Sequence, residues 1–251
     1  ARRTDCMNTE TQRCRALVTG GSGGIGAAIC ERLAADGHHV IVHANLGLEK
    51  AQALAEKIKE AGGSAEAVAF DITDRTATAA ALEALVDVAP IQILVNNAGI
   101  HDDAVFPGMT GEQWDRVLDV SLNGFFNVTQ PLTMPMMRTR WGRIVSVSSV
   151  AAVAGNRGQV NYAAARGALR AASKALALEL ASRGVTVNVV APGLIATGMI
   201  EGSFDADAVK RLVPMQRVGQ PVEVAHLVAF LASDQAAYIS GQVISINGAM
   251  I

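Results

Sequence analysis

The feature that most restricts the fold of this chain is a glycine-rich turn between an apolar run and a helix-forming run. Cys14 to Thr19 predicts a short β-strand, Gly20-Gly21-Ser22-Gly23-Gly24-Ile25-Gly26 follows at once, and Ala27 to Asp36 favours a helix. Such a turn lets the backbone lie close to a pyrophosphate, and the helix N-terminus adds free N–H groups and the positive end of its dipole. Because the spacing differs from the commoner GxGxxG pattern, a purely structural loop is the alternative. The predicted dinucleotide contacts here are Gly20, Ser22, Gly24, Ile25 and Gly26.

Strands and helices alternate along the rest of the chain without a linker or a low-complexity stretch. The alternation predicts an α/β fold, in which helices flank one doubly wound parallel sheet of the Rossmann type. We expect a single dinucleotide-binding and catalytic domain over residues 13–251, behind a flexible N-terminal leader over residues 1–12. The later predicted strands are His39 to Asn45, Ala65 to Phe70, Ile91 to Val95, Arg143 to Ser149, Thr186 to Ala191 and Gln242 to Ile246.

The composition argues against several classes of partner. A formal net charge of −2 and a pI near 6.2 provide no basic face for nucleic acid or for an anionic membrane. No apolar run is long enough to span a bilayer. The cysteines, Cys6, Cys14 and Cys30, have neither metal-ligand spacing nor a redox pair. We therefore predict no metal site and a cytoplasmic protein in a reducing compartment.

The end of the second predicted strand bears on the choice between NAD and NADP. An acidic residue there would accept the ribose 2′-hydroxyl of NAD and repel the 2′-phosphate of NADP. The sequence has neither an acid nor an arginine at this point, so NADP(H) is favoured over NAD(H), and the nearby polar candidates are His43, Asn45 and Lys50. At the end of the third strand, Asp71 and Ile72 are predicted beside the adenine. Asp71 is equally able to cap the helix that follows.

Two further turns complete the expected cofactor site. Asn96-Asn97-Ala98-Gly99 follows the fourth strand, where its amides can join neighbouring strand ends and its small residues admit a ribose; a simple turn is the alternative. Pro192 to Thr197 follows the sixth strand, where backbone groups can meet a nicotinamide carboxamide. Residues 194–217 suit a substrate lid around a helical piece, Ala206 to Leu212, although a passive surface excursion fits equally. The predicted contacts are Asn97, Ala98, Gly99, Pro192, Gly193, Ile195 and Thr197.

Three side chains predict the chemistry. Ser149 stands at the carboxyl end of the fifth predicted strand, where open α/β sheets place their sites. Tyr162 and Arg166 lie four residues apart in an alanine-rich run, so they share one helix face. A phenol, with an ordinary pKa of ~10, is a poor base at neutral pH. A fixed cation stabilises the phenolate and a serine hydroxyl can hold a carbonyl oxygen, which together favour ketone reduction or alcohol oxidation. Taken alone, such a Tyr–Arg pair is commonly helix-surface decoration.

The chain resembles the short-chain dehydrogenase/reductase family from Arg15 to Met250. The resemblance rests on Thr19-Gly20-x-x-x-Gly24-x-Gly26, Asn96-Asn97-Ala98-Gly99, Ser149 with Tyr162, and Pro192-Gly193. Within the family it is most similar to the 3-oxoacyl-[acyl-carrier-protein] reductases, through Trp141 to Val145, Gly155 to Tyr162 and Gly241 to Ile244. This implies that NADPH delivers hydride, that Tyr162 donates the proton and that Ser149 orients the ketone, in a homotetramer.

Two positions of the predicted catalytic set depart from the family's pattern. Arg166 stands where the family has lysine, and a guanidinium binds ribose hydroxyls but is effectively never deprotonated, which weakens proton relay. Ser121 stands where the family has asparagine and is too short to present an amide carbonyl to a structural water. Asn123 is the nearest residue that could compensate.

The resemblance implies NADPH-dependent reduction of 3-oxoacyl thioesters in fatty acid biosynthesis, weakened by these two departures while cofactor binding is largely kept. The alternatives are a reductase or dehydrogenase of another small ketone or alcohol, and a weakly active dinucleotide-binding subunit. Arg138 and Arg140 precede the Ser149 strand and could meet an acidic acyl carrier protein, although solvated surface charge is the default for both. Arg143 is expected to share that role or to cap the strand.

Overall fold

The computed structural model describes residues 14–197 and 206–251, so the predicted leader over residues 1–12 lies outside the described residues. The strands are β1 (Arg15–Val18), β2 (His39–Ala44), β3 (Ser64–Ala69), β4 (Ile93–Asn96), β5 (Gly142–Val147), β6 (Val185–Pro192) and β7 (Val243–Ile246). In the described part of the chain they form one parallel sheet in the order β3-β2-β1-β4-β5-β6-β7. The chain order reverses between β1 and β4, and open α/β sheets bind ligands at the carboxyl ends of such a pair.

Helices cover both faces of the sheet, which confirms the predicted doubly wound fold. The strands are continuous apolar runs because a parallel sheet is buried on both sides: Val40, Ile41 and Val42 are fully buried in one strand. The helices are α1 (Gly24–Ala35), α2 (Leu48–Glu60), α3 (Arg75–Val88), α4 (Gly111–Leu118), α5 (Gly124–Thr139), α6 (Ala151–Ala154), α7 (Val160–Leu180), α8 (Ala206–Leu212) and α9 (Pro221–Ala232). Side chains of α1, α2 and α9 form one core with the sheet, and those of α3, α5 and α7 form the other.

Two helices differ from their predicted bounds. The helix α1 starts at Gly24, inside the glycine-rich turn rather than after it. Apolar residues at helical spacing in the sequence predict one long helix from Thr110 to Thr129, namely Trp114, Val117, Leu118, Leu122 and Phe125. The structure instead has α4, a π-helical turn at Asp119–Asn123, and α5, which continues through two prolines to Thr139. The helix continues past the prolines because its buried face, including Leu132 and Met136, is packed against the sheet.

Arg143 is buried at the beginning of β5, so it is neither a carrier contact nor a simple strand cap. Its Nη2 lies 3.0 Å from Asp234 Oδ1, its Nε donates to Ser233 O and its guanidinium lies over the Trp141 ring. These contacts join β5 to the segment after α9. The helices of residues 14–197 and 206–251 include none that is both long and apolar enough to cross a membrane.

Candidate active site

A cleft of about 350 Å³ opens at the carboxyl ends of β1, β4, β5 and β6. It combines the glycine-rich turn, the turns after β4 and β6, and the beginning of α7. The topology therefore brings together residues that are far apart in sequence. The predicted site residues that line the cleft are Gly20, Gly24, Ile25, Gly26, Asn97, Ala98, Gly99, Ser149, Tyr162, Arg166, Pro192, Gly193, Ile195 and Thr197.

The glycine-rich turn is built for close approach. A Cβ atom at Gly26 would overlap the carbonyl oxygen of Gly20, so only glycine fits where α1 packs on the turn. Gly23 precedes α1 and has no side chain to cap it, which leaves first-turn N–H groups available to an anion. The side chain of Thr197 faces Gly24 from the far side of the cleft. These features fit the pyrophosphate of a dinucleotide.

Asn97 joins the ends of β1 and β4. Its Nδ2 donates to Thr19 O at 3.0 Å and to Gly20 O at 2.9 Å, while the N–H groups of Asn97 and Ala98 donate to Thr19 Oγ1. The prediction that amides join neighbouring strand ends is confirmed for Asn97, whereas the Asn96 Nδ2 donates to Thr129 Oγ1 in α5 at 3.0 Å. The effect is to fix the turn after β4 against the glycine-rich turn.

His43 fixes the other side of the same turn. The Gly20 N–H donates to His43 Nδ1 at 3.2 Å, and His43 Nε2 donates to Phe70 O at 2.9 Å. The ring is 2% exposed, and its burial lowers the pKa of His43. The expectation that His43 is a candidate for the NADP phosphate is therefore wrong, because both ring nitrogens are already bonded inside the protein.

The predicted adenosine contacts lie away from the cleft lining. Asn45 and Lys50 are exposed beyond the end of β2. Asp71 Oδ1 accepts hydrogen bonds from the backbone and side chain of Thr73, and Asp74 caps α3, so the alternative role of Asp71 as the helix cap is wrong. Ile72 is buried against Gly124. Ser22 is also outside the cleft lining. Four residues therefore remain predicted cofactor contacts: Ser22, Asn45, Asp71 and Ile72.

Ser149, Tyr162 and Arg166 all line this cleft. Ser149 Oγ accepts the Ala151 N–H at 3.1 Å, which fixes the hydroxyl at the beginning of α6. Arg166 is 4% exposed; its Nη1 donates to Val147 O at 2.8 Å, and its Cζ lies 5.4 Å from the centre of the Tyr162 ring. A Cβ atom at Gly99 would overlap Arg166 Nη2, so glycine is required there.

Ser121 does not line this cleft. It lies in the π-helical turn, 3% exposed, beside Thr19 and Asn96, and its Oγ has no hydrogen-bond partner among the described residues. Asn123 is exposed and donates to Asp119 Oδ1, so the expectation that it compensates for Ser121 is wrong.

Two lining residues, Val147 and Ser148, were not predicted. Val147 O holds the Arg166 guanidinium, and Ser148 Oγ donates to Arg166 O at 2.9 Å. Their position just before Ser149, at the end of β5, was the available signal. Gly23 was missed in the same way within the glycine-rich turn. Within residues 14–197 and 206–251, no group of three or more His, Cys, Asp or Glu side chains could hold a metal ion.

Comparison with known proteins agrees with this geometry. The family described as short chain dehydrogenase matches residues 15–208. The chain is 46% identical over 236 residues to 3-oxoacyl-[acyl-carrier-protein] reductase of Aggregatibacter actinomycetemcomitans, covering 93% of this chain and 98% of that protein. It is 44% identical to nodulation protein G of Rhizobium sp. (strain N33), covering 94% and 96%, and 43% identical to acetoacetyl-CoA reductase of Rhizobium meliloti (strain 1021), covering 93% and 96%. This chain belongs to the short chain dehydrogenase family.

Proposed function

We propose that this protein uses NADPH to reduce 3-oxoacyl thioesters to 3-hydroxyacyl thioesters, as a step of fatty acid biosynthesis. The observation that carries the proposal is that the glycine-rich turn lines the same cleft as Ser149, Tyr162 and Arg166. The relatives named above as 3-oxoacyl-[acyl-carrier-protein] reductase and acetoacetyl-CoA reductase support a thioester substrate.

The protein's own groups complete the reaction in this proposal. The bound cofactor supplies a hydride to the carbonyl carbon. Tyr162 gives its hydroxyl proton to the carbonyl oxygen, and the Ser149 hydroxyl donates a hydrogen bond that orients the same oxygen. Arg166 holds positive charge close to the phenol and supports the phenolate that remains. The Asn97 and His43 contacts keep the glycine-rich turn in position for the cofactor.

NADPH rather than NADH is supported by the end of β2. The segment from Ala44 to Leu48 carries no acidic side chain that would repel a 2′-phosphate. Two exposed polar side chains lie nearby, Asn45 within this segment and Lys50 two residues after it. Residues 194–217 are proposed as the substrate lid, although residues 198–205 of that segment lie outside the described part of the chain. Two backbone hydrogen bonds hold the beginning of that segment near its end: Ala196 N donates to Gly219 O, and Gly219 N donates to Leu194 O.

We also propose a homotetramer in the cytoplasm. Large apolar side chains are exposed on α5, including Phe126 and Met134, which suits a subunit interface. Cys14 and Cys30 are buried and form no disulfide with each other or with another described residue. Burial raises the pKa of Cys14 to about 11, so its thiol is unreactive. Free thiols of this kind suit a reducing compartment.

The test is NADPH oxidation with acetoacetyl and longer 3-oxoacyl thioesters, with NADH in parallel. We expect turnover with NADPH and much slower turnover with NADH. The Tyr162→Phe variant should lose the turnover with NADPH. A protein that oxidises NADPH with simple ketones but with no thioester would contradict the substrate class and support a reductase of another small ketone.

A second candidate function is a dinucleotide-binding subunit with little catalysis. The fixed guanidinium of Arg166 and the Ser121 hydroxyl, which has no hydrogen-bond partner within residues 14–197 and 206–251, favour it, because neither suits proton relay. Fluorescence titration with NADPH separates the two functions. Tight NADPH binding without turnover on any ketone would support the subunit.

A further inference from the structure

Asn161, the residue before Tyr162, is fully buried at the start of α7, where it contacts three parts of the chain. We propose that Asn161 is a positioning residue that sets where the Tyr162 hydroxyl lies in the cleft. The inference rests on the proposed function, in which Tyr162 is the proton donor.

The Asn161 amide uses both of its ends. Its Oδ1 accepts the Tyr162 N–H at 2.8 Å, and its Nδ2 donates to Asp102 O at 2.9 Å and to Gln113 O at 3.1 Å. The side-chain amide of Asn161 therefore joins α7, the segment after β4 and the helix α4. The bond to Tyr162 matters because first-turn N–H groups of a helix have no partner within the helix, and Gln159 at the N-cap supplies no side-chain acceptor.

The segment that Asn161 bonds is itself fixed on two sides. Asp102 accepts from Gln113 Nε2 at 2.8 Å and pairs with Arg116 at 3.1 Å, which holds it to α4. Next to it, Ala104 N donates to Gly158 O at 2.9 Å. These contacts hold in place the segment that anchors the beginning of α7.

The same segment also lies against Arg166. It begins at Gly99, which leaves room for the Arg166 guanidinium, and three residues later Asp102 accepts the bond from Asn161. The backbone from Gly99 to Asp102 therefore contacts Arg166 directly and Tyr162 through Asn161. Loss of the Asn161 bonds would let the first turn of α7 move relative to Arg166 and Ser149.

Asparagine is the residue type that this position needs. Aspartate would keep the acceptor for Tyr162 N–H but would place a buried carboxylate against two carbonyl oxygens. Alanine would remove all three bonds and leave the Asp102 and Gln113 carbonyls without this donor. Serine keeps one short hydroxyl and would restore part of the network.

The test compares Asn161→Ala and Asn161→Ser with wild type. We expect kcat to fall about ten- to hundredfold in Asn161→Ala, because small misplacement of a catalytic group has costs of that size. Asn161→Ser should lie between Asn161→Ala and wild type. The KM for acetoacetyl thioester and the Kd for NADPH should stay close to wild type, because Asn161 does not line the cleft. Hydrogen exchange of the peptide containing Tyr162 should accelerate.

Asn188→Ala is the matched control. Asn188 is 1% exposed, donates to Ile239 O at 2.7 Å and accepts from Gln242 N at 3.1 Å, between β6 and β7. The Asn188→Ala variant should destabilise the protein about as much as Asn161→Ala does. Its kcat, corrected for the folded fraction, should equal that of wild type. If Asn161→Ala does not fold, Asn161→Ser carries the comparison.

The outcomes separate this inference from the proposed function. Wild-type kcat in Asn161→Ala, unchanged exchange at Tyr162, or an equal kcat loss in Asn188→Ala would overturn the positioning role. Full turnover in Tyr162→Phe would overturn both proposals. If wild type reduces no thioester, the proposed function fails, and the exchange measurement alone decides whether Asn161 fixes the beginning of α7.

Discussion

Arg166 is held firmly inside the protein rather than displayed at its surface. Nη1 is bonded to Val147 O, Nη2 fills the space beside Gly99, and the backbone oxygen accepts from Ser148. A guanidinium fixed in this way supplies charge to the cleft, but it neither loses a proton nor adjusts its position easily. Its Nε also lacks a hydrogen-bond partner among the described residues, which is unfavourable for a buried donor.

Arg166→Lys is therefore predicted to raise turnover with a 3-oxoacyl thioester. An ammonium group is smaller, rotates its donors freely and can release a proton, so relay through this position becomes available. We expect roughly a tenfold rise in kcat, a part of the ~10²–10⁴ that positioned proton transfer contributes. Steady-state NADPH oxidation near neutral pH measures it.

Arg170→Lys is the matched control for that change. Arg170 lies one turn further along α7 and donates to Ala152 O at 2.8 Å, so it has the same kind of tie to a backbone carbonyl outside the cleft lining. Its turnover should equal that of wild type. Unchanged or lower turnover in Arg166→Lys would show that the guanidinium does not limit the reaction.

At the scale of elements, His43 couples the glycine-rich turn to the ends of β2 and β3. The Gly20 N–H can donate to Nδ1 only while that nitrogen carries no proton. Burial lowers the pKa of His43 below the ordinary histidine value of 6.5, although its contact with Phe70 O and the charge of Asp71 act in the opposite direction. The neutral ring is therefore the form that the fold requires.

Stability is predicted to fall as the pH drops below 6.5. In that range the unfolded chain binds a proton that the folded ring resists, so the unfolding free energy decreases by at most about 1.4 kcal/mol per pH unit for each such histidine. His43→Gln should flatten the slope of unfolding free energy between about pH 5.5 and 7, measured by urea denaturation. Part of the slope should persist, because burial also lowers the pKa of His38.

The control for the His43 prediction is the same comparison at about pH 8 to 9, where histidine is neutral in the folded and the unfolded chain. In that range His43→Gln should leave the slope as in wild type. Equal slopes in wild type and His43→Gln between about pH 5.5 and 7 would show that the Gly20 contact does not depend on the neutral ring.

Local patterns predicted the elements better than the contacts between them. The strand around Val40 to Val42 and the turn from Gly20 to Gly26 were predictable because continuous apolar runs and closely spaced glycines have few structural solutions. The hydrogen bond from Gly20 to His43 and the two bonds from Asn161 to Asp102 and Gln113 join residues far apart in sequence, and no local spacing encodes them. The course of α5 was missed for a similar reason: its prolines suggest an end, but burial of one face against the sheet outweighs them.

At the scale of the whole molecule, a small net negative charge coexists with a local group of arginines. Arg138 and Arg140 are exposed near the end of α5, and Arg140 Nη2 donates to Ser182 O at 3.1 Å, which brings the exposed Arg183 beside them. Arg183 was not predicted. The group lies where β5 and β6 begin, at the opposite edge of the sheet from the cleft, and the length of β5 separates the two by about 20 Å.

These arginines are predicted to recruit an acidic acyl carrier protein. Arg140→Glu with Arg183→Glu should raise the KM for a carrier-linked 3-oxoacyl thioester about tenfold at low salt and less at high salt, because rim charges mainly steer association. The KM for an uncharged pantetheine thioester should not change, since the cleft is untouched. Lys57→Glu with Lys59→Glu, at exposed positions on α2, is the matched double charge reversal and should leave both KM values as in wild type. If the double variant handles the carrier-linked substrate as wild type does, Arg140 and Arg183 are ordinary solvated surface charge, and the carrier must approach the cleft directly.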